Sequence, residues 1–205
     1  MKTKIKLILL DLDGVIIDSK QNMRISWESV RKITGTNITF KDYFKLIGLP
    51  FEKILIELGI KKNFNFIKKI FKKTSISNFN KIKLYPGVKS TLNILKKKKI
   101  NLGIVTSKDR SRTLKILNKF KIDIKNVVTP SKKLRGKPYP DQLKMAIRKS
   151  KSRNKNTIYV GDMIVDFKSA QNARVKFVYA SYGYGKFKKK YKFKINKFSE
   201  LIKII

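Results

Sequence analysis

The sequence predicts an α/β fold: a Rossmann-like parallel sheet with helices on both faces, plus a small all-helical domain. Short apolar runs of strand length alternate with helix-like spacing from residue 84 onward, which is typical of a parallel sheet covered on both sides. Residues 19–83 instead repeat apolar side chains at intervals of three and four, as on one face of a helix. No stretch approaches the roughly 18 apolar residues of a membrane span.

The order of these segments predicts which parts of the chain fold together. The first strand is expected at residues 5–10, before the helical stretch, and the other strands follow it. Residues 1–18 and 84–205 are therefore expected to form one α/β domain, with residues 19–83 inserted as the helical one. The later strands are predicted at residues 102–105, 126–128, 157–160 and 175–180, and a final helix near 198–204.

The composition restricts the chemistry that is available. The chain has 205 residues with no His and no Cys, which excludes disulfides, thiolate nucleophiles, zinc sites of the Cys/His kind and Ser-His hydrolases. Any catalysis must use carboxylates, lysines or hydroxyl groups. The first ten residues lack the length and cleavage site of a signal peptide, so we expect a cytoplasmic protein.

The charge of the chain is strongly positive, with 51 Lys+Arg against 13 Asp+Glu. Lysine at a surface releases counterions from nucleic acid, so a non-specific nucleic-acid partner is one explanation. The other is codon bias, because Lys, Ile and Asn share A/T-rich codons. The lysines are spread along the chain, which favours the second explanation; the densest runs lie at 96–99 and 186–194.

The scarce acids follow predicted strands. Asp11 and Asp13 come after the first strand and Asp162 after the strand at 157–160, with Asp166 opening the next helix. Ligands of open parallel sheets bind beyond the carboxyl ends of the strands, so these acids are expected to converge. Crowded carboxylates repel unless a cation compensates them. Oxygen ligands without His or Cys suit a hard ion such as Mg²⁺.

Four segments stand out in chain order: DLDGVIIDS (11–19), IVTSK (104–108), GKPYPDQL (136–143) and VGDMIVDF (160–167). Their order and spacing resemble the motifs of the haloacid dehalogenase-like (HAD) hydrolase superfamily. YPGV at 85–88 and YGYG at 182–185 match its phosphoglycolate phosphatase-like branch, in which a helical cap is inserted after the first motif. The resemblance implies a HAD core over 1–18 and 84–205 and a cap over 19–83.

This resemblance implies catalytic roles. Asp11 is implied as the nucleophile that accepts the phosphoryl group, and Asp13 as the acid that protonates the leaving oxygen and then activates water. Lys137 is implied to hold the phosphate and to offset the negative charge.

The resemblance also implies binding roles. Thr106 is implied to bind phosphate oxygens, and Ser107 and Lys108 are further candidates. The ligands implied for Mg²⁺ are Asp11, the main-chain carbonyl of Asp13 and Asp162, with Asp166 in support.

The predicted function is a Mg²⁺-dependent phosphatase that acts on a small phosphorylated metabolite through an aspartyl-phosphate. The second acid, Asp13, favours a phosphatase over a dehalogenase. A sugar-phosphate phosphatase or a phosphomutase is an alternative, although Met23 stands where many caps of the family carry His. A non-catalytic, nucleic-acid-associated basic protein is the second alternative. Lys45 and Lys53 are candidates for substrate contact in the cap.

Overall fold

A six-stranded parallel sheet forms the centre of the protein. The computed structural model describes residues 4–131, 133–186 and 191–205. The strands are β1 (Leu7–Leu10), β2 (Ile17–Asp18), β3 (Lys83–Leu84), β4 (Asn101–Val105), β5 (Asn126–Val128), β6 (Thr157–Gly161), β7 (Lys176–Ala180) and β8 (Lys194–Ile195). The sheet order is β5-β4-β1-β6-β7-β8 with every pair parallel. The predicted α/β fold class is therefore confirmed.

Strand β1 lies in the middle of this sheet and is completely buried. Leu10 is in register with Ile104 of β4 on one side and with Val160 of β6 on the other. An uninterrupted apolar run is what a strand buried on both faces requires. Its position places the residue that follows it, Asp11, at the centre of the carboxyl edge of the sheet.

The helices cover both faces of the sheet and form a separate layer beyond its carboxyl edge. The helices are α1 (Lys20–Thr34), α2 (Phe40–Lys45), α3 (Phe51–Glu57), α4 (Phe64–Ser77), α5 (Val88–Lys97), α6 (Arg110–Lys119), α7 (Asp141–Lys149) and α8 (Ile164–Asn172). Alternate residues of β1 point to opposite faces. Ile8 and Leu10 join the core with α5 and α6, whereas Leu7 and Leu9 join the core with α7 and α8.

Helices α1 to α4 pack around their own apolar cluster, and we call them the α1–α4 layer. Trp27 is fully buried there and stacks on Tyr43 with ring centroids 4.6 Å apart. Its indole Nε1 donates to the carbonyl oxygen of Ile38, so burial leaves no polar atom of the ring unpaired. Ile33, in the last turn of α1, lies outside this cluster and is 56% exposed.

The structure differs from the sequence prediction at two places along the chain. Strands β2 and β3 form a two-residue antiparallel ladder at the point where the chain enters and leaves the α1–α4 layer. The expected final helix is a 3₁₀ helix, Phe198–Ile204, preceded by strand β8. Two-residue strands carry no periodicity, so the pattern of apolar residues could not reveal them.

Candidate active site

The side chains predicted to form a site do meet at the carboxyl edge of the sheet. The amide of Asp11 donates to the carbonyl oxygen of Val160 at 2.9 Å, and the amide of Thr106 donates to that of Val128 at 3.2 Å. These bonds extend the strand ladders by one residue. They fix the main chain of both residues at the ends of β1 and β4.

Three carboxylates form a buried group, which we call the acid cluster: Asp11, Asp162 and Asp166. Their oxygens come within 4.8 Å of one another, and all three side chains are buried. The ammonium of Lys137 lies 2.9 Å from Asp11 Oδ1 and 2.7 Å from Asp166 Oδ1, with its side chain completely inaccessible. The structure thus brings together four of the predicted residues.

The charges of the acid cluster do not balance when all three carboxylates are ionised. One ammonium then leaves two negative charges, which is the charge that one divalent cation neutralises. Burial raises the pKa of Asp11 to about 7, helped by Asp166 and Asp13 and opposed by Lys137. Burial likewise holds the pKa of Asp162 well above its usual value. Although burial opposes it, attraction by Asp11 and Asp166 raises the pKa of Lys137.

The acid cluster fits a hard divalent ion. Asp162 Oδ1 is buried and has no hydrogen-bond partner among the described residues. Buried polar atoms are normally paired, so an unpaired carboxylate oxygen beside two other carboxylates is suited to hold a cation. The donors are all oxygens, as Mg²⁺ prefers.

Asp166 does more than supply charge. Its Oδ1 accepts a hydrogen bond from Tyr159 at 3.0 Å and forms an ion pair with Lys137. Its Oδ2 accepts from the amides of Asp162 at 3.2 Å and Met163 at 2.9 Å. Asp166 therefore fixes both the ammonium of Lys137 and the backbone that carries Asp162. The sequence did not point to Tyr159, since an aromatic residue inside a strand is usually only core.

Two glycines allow the backbone to approach Asp162. A Cβ atom on Gly14, whose φ is +81°, would lie 2.1 Å from Asp162 Oδ2, and one on Gly183 would lie 2.4 Å from Asp162 Cβ. No other residue type fits at these positions without displacing the carboxylate. The main-chain amide of Tyr184 then donates to Asp162 Oδ2 at 2.7 Å.

Asp13 lies in a different environment from Asp11. Its side chain is 20% exposed, its Oδ1 lies 3.2 Å from the ammonium of Lys108, and it accepts a hydrogen bond from the hydroxyl of Ser19. Burial lowers the pKa of Lys108, while Asp13 opposes this effect. We call Asp13, Lys108 and Ser19 the Asp13 group.

The two predicted hydroxyl residues have separate partners. Thr106 is buried, and its Oγ1 accepts from the amide of Lys108 at 3.2 Å. Ser107 Oγ donates to the carbonyl oxygen of Gly48, between α2 and α3, at 2.6 Å. The side chain of Ser107 therefore joins the sheet domain to the α1–α4 layer.

A small cavity of about 60 Å³ separates the sheet edge from the α1–α4 layer. Asp11, Asp13, Thr106, Ser107 and Lys108 line its floor, as the sequence predicts. Other side chains that the sequence did not single out also line it. They come from helices and loops that are distant along the chain, so no local pattern connects them with the site. They include Tyr43, Phe51, Phe71, Arg112 and Tyr184.

The other lysines singled out in the sequence lie elsewhere. Lys45 and Lys53 are exposed, pair with Asp42 and Glu57, and do not line the cavity. The run 96–99 is exposed just before β4, at the opposite edge of the sheet. Within the run 186–194, residues 187–190 lie outside the described residues. Among the helices that the structure describes, none has the length and apolar character to cross a membrane.

Comparison with known proteins identifies the family. Residues 8–180 match the model of the haloacid dehalogenase-like hydrolases, so the chain belongs to this family.

Individual relatives agree with this assignment. The chain is 28% identical to pyrophosphatase PpaX of Oceanobacillus iheyensis over 84% of this chain and 81% of the relative. It is 27% identical to phosphoglycolate phosphatase of Aquifex aeolicus over 98% and 96%. A crystal structure of a predicted phosphoglycolate phosphatase from Haemophilus somnus superposes with a TM-score of 0.85 at 25% identity, covering 100% of this chain and 99% of that one. The protein is thus an enzyme, a phosphatase-like hydrolase of the HAD family.

Proposed function

We propose that the protein is a Mg²⁺-dependent phosphomonoesterase that acts on a small phosphorylated metabolite through an aspartyl-phosphate on Asp11. The observation that carries this proposal is the buried acid cluster, whose negative charge suits one divalent ion. One member of the cluster, Asp11, also lines the cavity. With neither His nor Cys in the chain, a carboxylate is one of the few nucleophiles available.

The metal would be held by Asp11, Asp162 and the main-chain carbonyl of Asp13, with Asp166 in support. When bound, Mg²⁺ supplies positive charge next to the phosphate oxygens, where negative charge builds up during phosphoryl transfer. The unpaired Oδ1 of Asp162 supports this assignment.

Asp11 provides the nucleophilic oxygen. Lys137 contacts Asp11 Oδ1, which leaves Oδ2 to attack phosphorus while the bond from phosphorus to the leaving oxygen breaks. The ammonium also favours the ionised carboxylate, which the attack requires. In this proposal Lys137 offsets the negative charge through the two carboxylates that it contacts, and Thr106 and Lys108 lie on the cavity floor where phosphate oxygens would bind.

Asp13 provides the proton for the leaving oxygen. In the second half of the reaction it takes a proton from the water that hydrolyses the aspartyl-phosphate, so its carboxyl group returns to its starting state. Ser19 and Lys108 hold that carboxyl at the cavity. A positioned acid or base of this kind contributes about 10² to 10⁴ in rate.

We propose that residues 19–83 act as a cap over a core made of residues 1–18 and 84–205. The short ladder of β2 and β3 joins the two parts. The α1–α4 layer forms the upper wall of the cavity, with apolar side chains such as Phe51 and Phe71. Closing such a wall over bound substrate excludes bulk water from the reacting atoms.

The test is a panel of phosphate monoesters incubated with Mg²⁺ and scored by released inorganic phosphate. We expect turnover that EDTA abolishes and that Asp11→Asn reduces by at least about 10³, since the nucleophile is removed. Asp123→Asn is the matched control, because Asp123 is exposed and forms an ion pair with Lys96 at 3.5 Å, away from the cavity. Full activity of Asp11→Asn, or activity indifferent to EDTA, would contradict the proposal.

A further inference from the structure

Arg112 is a cationic residue of the cavity that the reaction outlined above does not use. It lies in the first turn of α6, and its side chain is only 12% exposed. It lines the 60 Å³ cavity together with the reacting carboxylates and also lines a neighbouring cavity of about 520 Å³. The two cavities share Phe51, Phe71, Ser107 and Arg112 in their walls. Arg112 therefore lies where the small cavity at the acid cluster meets the larger neighbouring cavity.

The guanidinium of Arg112 is held along one edge only. Its Nε donates to Asp109 Oδ2 at 2.5 Å, and the Asp109 carboxylate is itself fixed because its Oδ1 accepts from the amide of Arg112. The ring of Phe71 supports the guanidinium at 5.6 Å from Cζ. These contacts orient the side chain without using its terminal nitrogens.

The terminal Nη groups are almost free of partners. Among the described residues their single hydrogen bond runs from Nη1 to Ser75 Oγ at 3.5 Å, the limit for such a bond. Ser75 Oγ is already engaged as a donor to Asn22 Oδ1 at 2.8 Å. A guanidinium has five N–H donors in a planar fork that matches carboxylate and phosphate groups. The unused Nη edge of Arg112 is such a fork, and it is preoriented.

The surroundings of Arg112 favour an anion over a neutral group. Lys108 is the other basic side chain that lines the small cavity in the described part of the chain, and Asp13 already pairs with it. The wall beside Arg112 consists mainly of apolar side chains such as Phe51, Ile54 and Phe71. Away from water a charge–charge contact is stronger than at an exposed surface, so an anion next to Arg112 would be bound selectively.

We propose that Arg112 determines substrate specificity by binding, through its Nη groups, a second anionic group on the phosphate ester. This inference rests on the proposed phosphatase function. The second group is a carboxylate or another phosphate, since both present two oxygens to the same fork. The phosphate to be hydrolysed lies at Asp11, and the second anion lies at the junction of the two cavities.

The experiment compares substrates with and without the second charge. The four probes are 2-phosphoglycolate with its size-matched partner ethyl phosphate, and pyrophosphate with its partner methyl phosphate. Each is assayed with Mg²⁺ by release of inorganic phosphate from the wild type, Arg112→Gln, Arg112→Lys and Lys115→Gln. Lys115 is the control, because it is exposed on the same helix and its replacement removes the same charge.

We expect Arg112→Gln to raise KM by about tenfold to a hundredfold for at least one of the two doubly anionic probes, as for the loss of a charged hydrogen bond. The kcat/KM for ethyl and methyl phosphate should stay within about twofold, and Arg112→Lys should restore part of the loss. A raised KM for 2-phosphoglycolate alone indicates that Arg112 binds a carboxylate, and a raised KM for pyrophosphate alone indicates that it binds a phosphate. Lys115→Gln should behave as the wild type.

Two results overturn the inference while leaving the phosphatase proposal standing. In one, Arg112→Gln weakens all four probes equally, which shows that Arg112 only supports the fold through Asp109. In the other, Arg112→Gln changes none of them. If the wild type releases phosphate from no monoester, the proposed function itself fails and the inference falls with it.

Discussion

The acid cluster and the Asp13 group begin two residues apart on the chain and yet differ in charge and burial. Asp11 is buried against Lys137 beside two further buried carboxylates. Asp13 is partly exposed, and its Oδ1 lies 3.2 Å from the ammonium of Lys108. Under the proposed function, this difference assigns the metal to the first region and proton transfer to the second.

The largest effect on stability is expected when the Lys137 ammonium, which contacts two carboxylates of the acid cluster, is removed. Lys137→Met leaves buried carboxylates without their counter-charge, so the free energy of unfolding should fall by about 3–5 kcal/mol. Urea denaturation in EDTA at pH 7 measures this loss. Lys144→Met is the control, because Lys144 is exposed on α7. A loss as small as that of the control would show that the buried charges are already compensated in another way.

The next effect separates the two regions by their response to metal. At a hundred times its Kd, Mg²⁺ should stabilise the wild type by about 2.7 kcal/mol. Asp162→Asn should abolish this gain, whereas Asp13→Asn should keep it, since only the main-chain carbonyl of Asp13 is assigned to the metal. Because burial raises the pKa of Asp11 to about 7, the affinity for Mg²⁺ should increase as the pH rises through 7.

Unfolding curves with Mg²⁺ and with EDTA, recorded for the wild type and both variants, give this comparison directly. If Asp13→Asn lost the Mg²⁺ response and Asp162→Asn kept it, the roles given to the two regions would have to be exchanged.

The smallest effect is expected inside the Asp13 group. Ser19→Ala removes one hydrogen bond to the Asp13 carboxylate and should lower kcat about fivefold, equivalent to about 1 kcal/mol. The gain in stability from Mg²⁺ should not change. Ser77→Ala serves as a control, because its hydroxyl is exposed and bonds only within α4. An altered response to Mg²⁺ in Ser19→Ala would mean that the two regions are not independent.

The arrangement of the strands and acids could be predicted because it depends on local patterns. A continuous apolar run such as β1 has to be buried, and the residue after it has to emerge at the carboxyl edge.

The partners of individual side chains could not be predicted, because they depend on contacts between distant segments. The family resemblance singles out Lys137, but no local pattern shows that its side chain is fully buried between Asp11 and Asp166. The bond from Ser107 to Gly48 and the entry of Arg112 into the cavity both require the α1–α4 layer to be docked on the sheet domain. Sequence patterns describe single elements and not how two layers meet.

The contacts around Asp162 have a consequence for the order of folding. Its carboxylate is enclosed by Gly14 from the beginning of the chain and by Gly183 and Tyr184 from near the end, and Tyr184 also accepts from the amide of Ser19, 165 positions away. Contacts between segments so far apart along the chain raise the contact order, which slows folding. The surroundings of Asp162 are complete only when residues 183–184 have been synthesised and packed against residue 14.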